Sequence, residues 1–322
     1  MGAERQYALP GWCRNLVEAG RLQPGEEVLV VVDEPLTEQG SQLAAAVKEA
    51  GGRPHLELWA GERPLAHAPP SVLEVASRAT LAISLAQAPR PDEASARFEI
   101  LETMTGKGGR QIYMGFVTPE LLEGELSQPA VDVEAPARRL LAELEGSKEI
   151  RIRGRAGTDL LLRVEGRPWK SDALPLAPGE GANYPGGEVF IAPLKDGAEG
   201  VLVADLTVPY TVEGLVDEPV TLRFEQGRVV EISGGKAADM LRELVAEAGT
   251  GADVIAELGI GLNPAVKPRG HVMLDEKAAN TAHVAIGKNT GSYGGDNDAA
   301  IHVDCIFSEP TVEADGRTVS LS

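Results

Sequence analysis

Along the first half of the 322-residue chain, hydrophobic positions switch repeatedly between two periods. Residues 27–33 (Glu-Val-Leu-Val-Val-Val-Asp) are an unbroken apolar run of strand length, the pattern of a strand buried on both faces. Residues 38–50 then place apolar side chains at helical spacing and stop at Gly51-Gly52, a helix ended by glycine. The alternation continues as a strand at 54–59, a helix at 71–78, a strand at 80–85, a helix at 92–105, a Gly-rich turn, a strand at 111–116 and a helix at 135–145. Apolar strands alternating with helices predict an α/β N-terminal domain, residues 1–147, with a mostly parallel sheet covered by helices. The first strand–helix turn reads Asp33-Glu34-Pro35-Leu36-Thr37. It carries no Gly-x-Gly-x-x-Gly, and no phosphate loop occurs elsewhere, so this Rossmann-like half reads as scaffold or lid rather than as a nucleotide site.

The pattern changes near residue 148. Runs at 149–153 and 160–164 predict a hairpin, and further strands are expected at 188–192, 201–208, 220–224 and 229–232, the last two joined by a turn at Gln226-Gly227. Residues 237–248 are one amphipathic helix. A second hairpin is expected to join 300–308 to 317–321, with Asp315-Gly316 near its turn. Residues 148–322 therefore predict an α+β domain with mostly antiparallel strands. Neither internal repeats nor a low-complexity linker is present.

Charge narrows the partners. Thirty basic against 49 acidic residues give a net charge of −19, which disfavours nucleic acid or an anionic membrane surface, since both call for clustered Lys and Arg. Two cysteines, Cys13 and Cys305, lie far apart without a disulfide framework. The segment Met1-Gly2-Ala3-Glu4-Arg5-Gln6-Tyr7 lacks an apolar signal core, and no run of about 18 apolar residues is present. A cytoplasmic location is the expectation.

Candidate chemistry lies in the second half. In Ala300-Ile301-His302-Val303-Asp304-Cys305-Ile306-Phe307, His302 and Asp304 sit two apart and project from the same face of a strand. Alone, such a pair is the ordinary surface pairing of a half-buried strand. Glu188 follows Asn183-Tyr184-Pro185-Gly186-Gly187 and opens an apolar run, where it is either an exposed strand-end residue or a ligand. Glu257 is the only charge in the long apolar and glycine run 254–264. Burying an unpaired carboxylate costs several kcal/mol, on the order of its lost hydration, so such a residue calls for a cation or strong donors. His283 is the only ionisable group in 280–287, where a satisfied core histidine is the plain alternative. Taken together, three carboxylates and two imidazoles suit Zn²⁺, Co²⁺, Mn²⁺ or Fe²⁺ rather than a Cys-rich structural zinc site. Five ligands exceed what one catalytic metal needs, whereas two ions about 3.5–4 Å apart would use them all for peptide or amide hydrolysis.

At these residues the chain resembles the aminopeptidase T family of dinuclear metallo-aminopeptidases. The similar stretches are Gly157-Thr158-Asp159-Leu160, the run from Ala182 to Pro193 around Glu188, Ala256-Glu257-Leu258-Gly259, Leu274-Asp275-Glu276-Lys277, the run from Ala282 to Gly287 around His283, and Ile301-His302-Val303-Asp304. The resemblance implies that Glu188, Glu257, His283, His302 and Asp304 bind two divalent metals (Zn, Co or Mn), that the protein is a homodimer, and that the N-terminal domain lies near the site entrance. The family places a tyrosine seven residues after the position of His283. Here Thr290 stands there, and Tyr293, in Gly291-Ser292-Tyr293-Gly294-Gly295, is the nearest candidate. The expected activity is removal of N-terminal residues from short peptides, with Glu257 as general base where it is not fully engaged as a ligand and Tyr293 at the oxyanion. A dihydroxypyridine ring-cleaving dioxygenase is similar to the same family. It would use His283, His302 and Asp304 to hold one Fe(II), and Gly259-Ile260-Gly261-Leu262-Asn263-Pro264 resembles that branch as much as the peptidases. A non-catalytic descendant is the third alternative.

Overall fold

A computed structural model describes residues 9–321; the N-terminal segment on which the signal-peptide expectation rests lies outside them. Five parallel strands form the first sheet, in the order Arg53–Leu58, Glu27–Val32, Leu81–Leu85, Arg110–Met114 and Gly181–Asn183. The unbroken run in Glu27–Val32 has a direct cause. Val28, Val30 and Val32 pack on one side with Trp12, Leu16 and Leu43. Leu29 and Val31 pack on the other with Val72, Val75, Ile100 and Met104. Both faces of the strand are therefore dry, as a helix-covered parallel sheet requires.

The edge strand Gly181–Asn183 comes from the second half of the chain and pairs Ile112 with Ala182 and Tyr113 with Asn183. No hydrophobic period marks these three residues. Their placement brings the chain that follows, up to Glu188, to the C-terminal ends of the parallel strands.

The remaining two sheets are antiparallel. A seven-stranded sheet runs in the order Arg228–Ser233, Val220–Glu225, Ala198–Ala204, Asp159–Arg163, Glu149–Arg153, Thr311–Ala314, Arg317–Val319. A five-stranded sheet runs His302–Ser308, Thr281–Gly287, Ile255–Gly261, Glu188–Ile191, Lys170–Ser171. They share one core, in which Ile150, Ile152, Leu160, Leu202 and Leu222 of the first meet Val189, Leu258, Ile260, Val284, Val303 and Cys305 of the second. Only one face of the five-stranded sheet is used this way, which leaves the other for polar groups.

Two expectations are corrected. The hairpin between 300–308 and 317–321 does not form. His302–Ser308 pairs with Thr281–Gly287, whereas Arg317–Val319 pairs with Thr311–Ala314 in the other sheet. The turn is at Asp315-Gly316 as anticipated, and both residues have positive φ (48° and 77°). A two-residue turn of that kind closes on the strand immediately before it, and that strand, Thr311–Ala314, has only Val312 and Ala314 buried. The expected strand 201–208 instead runs Ala198–Ala204. Leu206 and Thr207 leave it to hydrogen-bond Ile306 at 3.2 and 2.9 Å. No described helix is long and apolar enough to cross a membrane.

Candidate metal centre

Strand alternation builds the site. In the five-stranded sheet, Val189, Leu258, Val284, Val303 and Cys305 point into the core, so the intervening Glu188, Glu257, His283, His302 and Asp304 share the opposite face. Cross-strand register places them close together: Gly261 opposite Glu188, Gly259 opposite His283, Ala285 opposite Asp304, Gly287 opposite His302. Small residues thus sit beside the large polar ones. At Gly259 the space is fully taken, because an added Cβ would lie 2.1 Å from His283 Cε1.

The five expected residues converge. Glu188, Glu257 and His283 form one potential metal-holding group, and Glu257, His302 and Asp304 a second, with ligand atoms inside each group within 4.8 Å of one another. Glu257 belongs to both. Its Oε1 lies 3.7 Å from His283 Nε2 and its Oε2 lies 3.2 Å from His302 Nε2. His302 Nε2 is 3.3 Å from Asp304 Oδ1, and His283 Nε2 is 3.6 Å from Glu188 Oε2.

The donor set fits divalent cations on three counts. His302 Nδ1 lies 2.7 Å from the Lys288 carbonyl. A carbonyl only accepts, so Nδ1 carries the proton and Nε2 presents a lone pair to the cluster, the tautomer a metal ligand needs. Glu188 Oε2 is buried without a hydrogen-bond partner, an atom left for a cation. Charge is the third count. Asp172, Glu188, Glu257, Glu276 and Asp304 are five carboxylates against the single ammonium of Lys277. With neutral imidazoles and all five carboxyls ionised this is four negative charges, the number two divalent ions would balance; burial raises the Glu188 and Glu276 carboxyls, so without a cation their neutral forms are favoured.

The ionisation equilibria report the same excess. Burial opposes charge on His283, but the hydrogen bond its ring N–H donates to Glu257 and the nearby carboxylates outweigh it and raise the imidazole to about 9. Burial would likewise push Asp304 up, yet the His302 charge and hydrogen bond bring it down to about 2. Burial also opposes ionisation of Glu257, and the two imidazoles hold it below the usual carboxylate range.

Three residues without an assigned role belong to the same network. Lys277 is fully buried and contacts Glu188 Oε1, Asp172 Oδ2 at 2.8 Å and Glu276 Oε1 at 3.0 Å. Asp172 Oδ1 accepts hydrogen bonds from the backbone N–H groups of Gly187 and Glu188, both at 2.8 Å. Glu276 Oε1 accepts from Asn183 Nδ2 at 3.3 Å. The signal was three consecutive charges, Asp275-Glu276-Lys277, directly after an apolar stretch.

Above the ligands opens a cavity of about 670 Å³ with walls from both halves of the chain: Arg97, Phe98 and Leu101 of helix Ala94–Thr105 on one side, the five-stranded sheet on the other. The chain has thirteen aromatic residues, and seven line this cavity, among them Phe98, Tyr113, Phe190 and Tyr293. Such concentration in an aromatic-poor chain marks the cavity as a ligand site rather than a packing defect. Tyr293 stacks on the His302 ring, centroids 4.7 Å apart and planes 25° apart, and meets Phe98 and Phe190 edge-on. Burial, reinforced by Glu257 and Asp304, pushes its phenol well up, so it remains a hydrogen-bond donor. His271 lies outside the cluster, with Nε2 2.8 Å from the Phe116 carbonyl.

A helix-covered parallel sheet capping an antiparallel sheet that carries a His/carboxylate cluster defines a two-part protein with a candidate metal centre between the parts. The family described as NicX, 2,5-dihydroxypyridine 5,6-dioxygenase, matches residues 9–321, and the chain belongs to it. Aminopeptidase AmpS of Bacillus subtilis is 33% identical over 161 residues, 42% of this chain and 37% of that protein. Aminopeptidase T of Thermus aquaticus is 30% identical over 182 residues, 50% of this chain and 43% of that protein. The 2,5-dihydroxypyridine 5,6-dioxygenase of Pseudomonas putida is 30% identical over 144 residues, 42% and 39% respectively. The matches thus span less than half the length of these relatives. The resemblance to aminopeptidase T and its kinship with the dihydroxypyridine dioxygenases are both found. Among solved structures, the P. putida dioxygenase superposes with a TM-score of 0.75 at 22% identity, covering 97% of this chain and 94% of that one. Wild-type AmpT from Thermus thermophilus gives 0.68 at 22%, covering 96% and 98%. Both have this fold.

Proposed function

We propose that the chain is a metal-dependent aminopeptidase acting on short peptides. One observation carries the reading: two three-residue ligand groups share Glu257 within a cluster whose buried charge matches two divalent ions. Glu188, Glu257 and His283 would hold one ion (Zn, Co or Mn), and Glu257, His302 and Asp304 the other. Such ions polarise a carbonyl and lower the pKa of water. Glu257 is the group assigned to accept the proton of the attacking water where it is not fully engaged as a ligand; with both oxygens on cations it serves as the shared ligand alone. Tyr293, kept protonated and fixed by its stack on His302, donates a hydrogen bond to the developing oxyanion. A cytoplasmic homodimer, divided as 1–147 and 148–322, completes the reading; the dimer rests on the resemblance alone. Hydrolysis of aminoacyl-nitroanilides that disappears on chelation and returns with added Zn²⁺, Co²⁺ or Mn²⁺ supports it, and no hydrolysis with any of the three refutes it.

A second reading is a mononuclear Fe(II) ring-cleaving dioxygenase. The match over residues 9–321 and the aromatic cavity favour it. His283, His302 and Asp304 would then form a two-His-one-carboxylate set, with both Nε2 atoms within 3.9 Å of Asp304 Oδ1. It predicts one iron per chain and oxygen uptake with 2,5-dihydroxypyridine.

A further inference from the structure

The two ligand groups have unequal surroundings. Around Glu257, His302 and Asp304, the imidazole is fixed by the Lys288 carbonyl, and the Asp304 carboxylate faces only imidazole nitrogens at these distances. Around Glu188, Glu257 and His283, a cation is already in place. Lys277 Nζ contacts Glu188 Oε1, and the same ammonium is pinned by Asp172 and Glu276 at 2.8 and 3.0 Å. It is fully buried, where charges are screened far less than at the surface. Asp172 also grips the backbone N–H of Gly187 and Glu188, so Glu188 is fixed at both its main chain and one carboxylate oxygen. Only Oε2, buried and without a hydrogen-bond partner, faces His283.

We infer that Lys277 is a positioning residue that makes the metal centre unequal: by holding Glu188 to one free oxygen and placing a fixed positive charge beside it, it renders the Glu188/Glu257/His283 position the weaker, exchangeable one. Two effects act in the same direction. Glu188 is denied two-oxygen coordination, and a second cation entering that position meets the ammonium at close range in a buried site. The Lys277 charge reaches Asp304 only at longer range, and its direct ion pairs are with Asp172, Glu188 and Glu276, so the position of Glu257, His302 and Asp304 is the less handicapped and fills first. The inference rests on the two-metal reading and adds an order of filling to it.

The test is calorimetric titration of the chelator-treated full chain with Co²⁺, followed in parallel by visible absorption. The wild type should show two classes of site differing at least tenfold in dissociation constant. His302→Ala should lose the tight class and His283→Ala the weak one. Lys277→Met should tighten the weak class until the two differ less than threefold, whereas Lys277→Arg, which keeps the charge, should preserve the gap. A purely structural lysine would lower thermal stability in both variants without moving one class relative to the other. Equal classes in the wild type, loss of the tight class in His283→Ala, or weaker binding in Lys277→Met each overturn the inference. If Lys277→Met does not fold, the wild type and the two histidine variants decide it. Saturation at one Co²⁺ per wild-type chain instead refutes the two-metal reading itself, and the inference with it.

Discussion

The parallel sheet of the first half and the five-stranded antiparallel sheet of the second use their faces in opposite ways. Every side chain of Val28–Val32 enters an apolar core, because helices cover both sides of the strand. In Ile255–Gly261, Leu258 and Ile260 enter the core, whereas Glu257 stands on the far face among imidazoles. A sheet dry on both faces contributes chemistry mainly near its strand ends, and here Tyr113, Phe116 and Asn183, at or just beyond those ends, reach the cavity. A sheet dry on one face can carry a whole polar constellation in its middle. The first region should therefore respond to mutation in stability, and the second in metal binding and turnover.

The largest expected effect is on turnover. Glu257→Gln removes the shared ligand charge and the proton acceptor, and kcat on aminoacyl-nitroanilides should fall by about 10²–10⁴-fold, with the circular dichroism spectrum unchanged. Full activity in this variant would remove the site face from the comparison. Leu29→Ala, in the parallel sheet, should do the reverse. It empties a fully buried position, costing about 2–5 kcal/mol in urea unfolding, with cobalt affinity unaltered. Gly259→Ala tests whether the two regions can be mixed. Its Cβ would meet the His283 ring at 2.1 Å, so overpacking of about 1–3 kcal/mol should come with loss of metal at the His283 position, read by cobalt absorbance.

The smallest effect concerns acid sensitivity of the first half. Burial would raise Glu93, but the Arg63 guanidinium and the Leu65 N–H outweigh it and hold its carboxyl below the ordinary 4.5. A carboxylate depressed in the folded state contributes stability in full above its unfolded value and loses it as pH falls through the folded one. Glu93→Gln should therefore flatten the decline of stability below pH of about 4.5. An acid limb identical to the wild type would show that the pair contributes nothing.

How much of this was legible in the sequence follows from the same contrast. The run at 27–33 was readable because both its faces are apolar. Glu257 and His283 were conspicuous because each is the lone ionisable group in an apolar strand, and the alternation of His302 and Asp304 gave their shared face. Lys277 was not legible as part of the site. Leu274-Asp275-Glu276-Lys277 stood out only as a stretch similar to the family, with no role for the lysine, and tertiary packing buries all three charges. The strand Gly181–Asn183 was equally hidden, since three residues have no period and their pairing with Arg110–Met114 is a long-range event. The misassigned hairpin passed over the short strand Thr311–Ala314, whereas a two-residue turn pairs the strand immediately before it.

The central claim is that Glu257 is shared between two cation positions. Elemental analysis of the full chain dialysed to equilibrium against excess Zn²⁺, Co²⁺ or Mn²⁺ tests it most directly. Two equivalents per chain, falling to one in His283→Ala, is the predicted result; saturation at one equivalent with each of the three metals would contradict it.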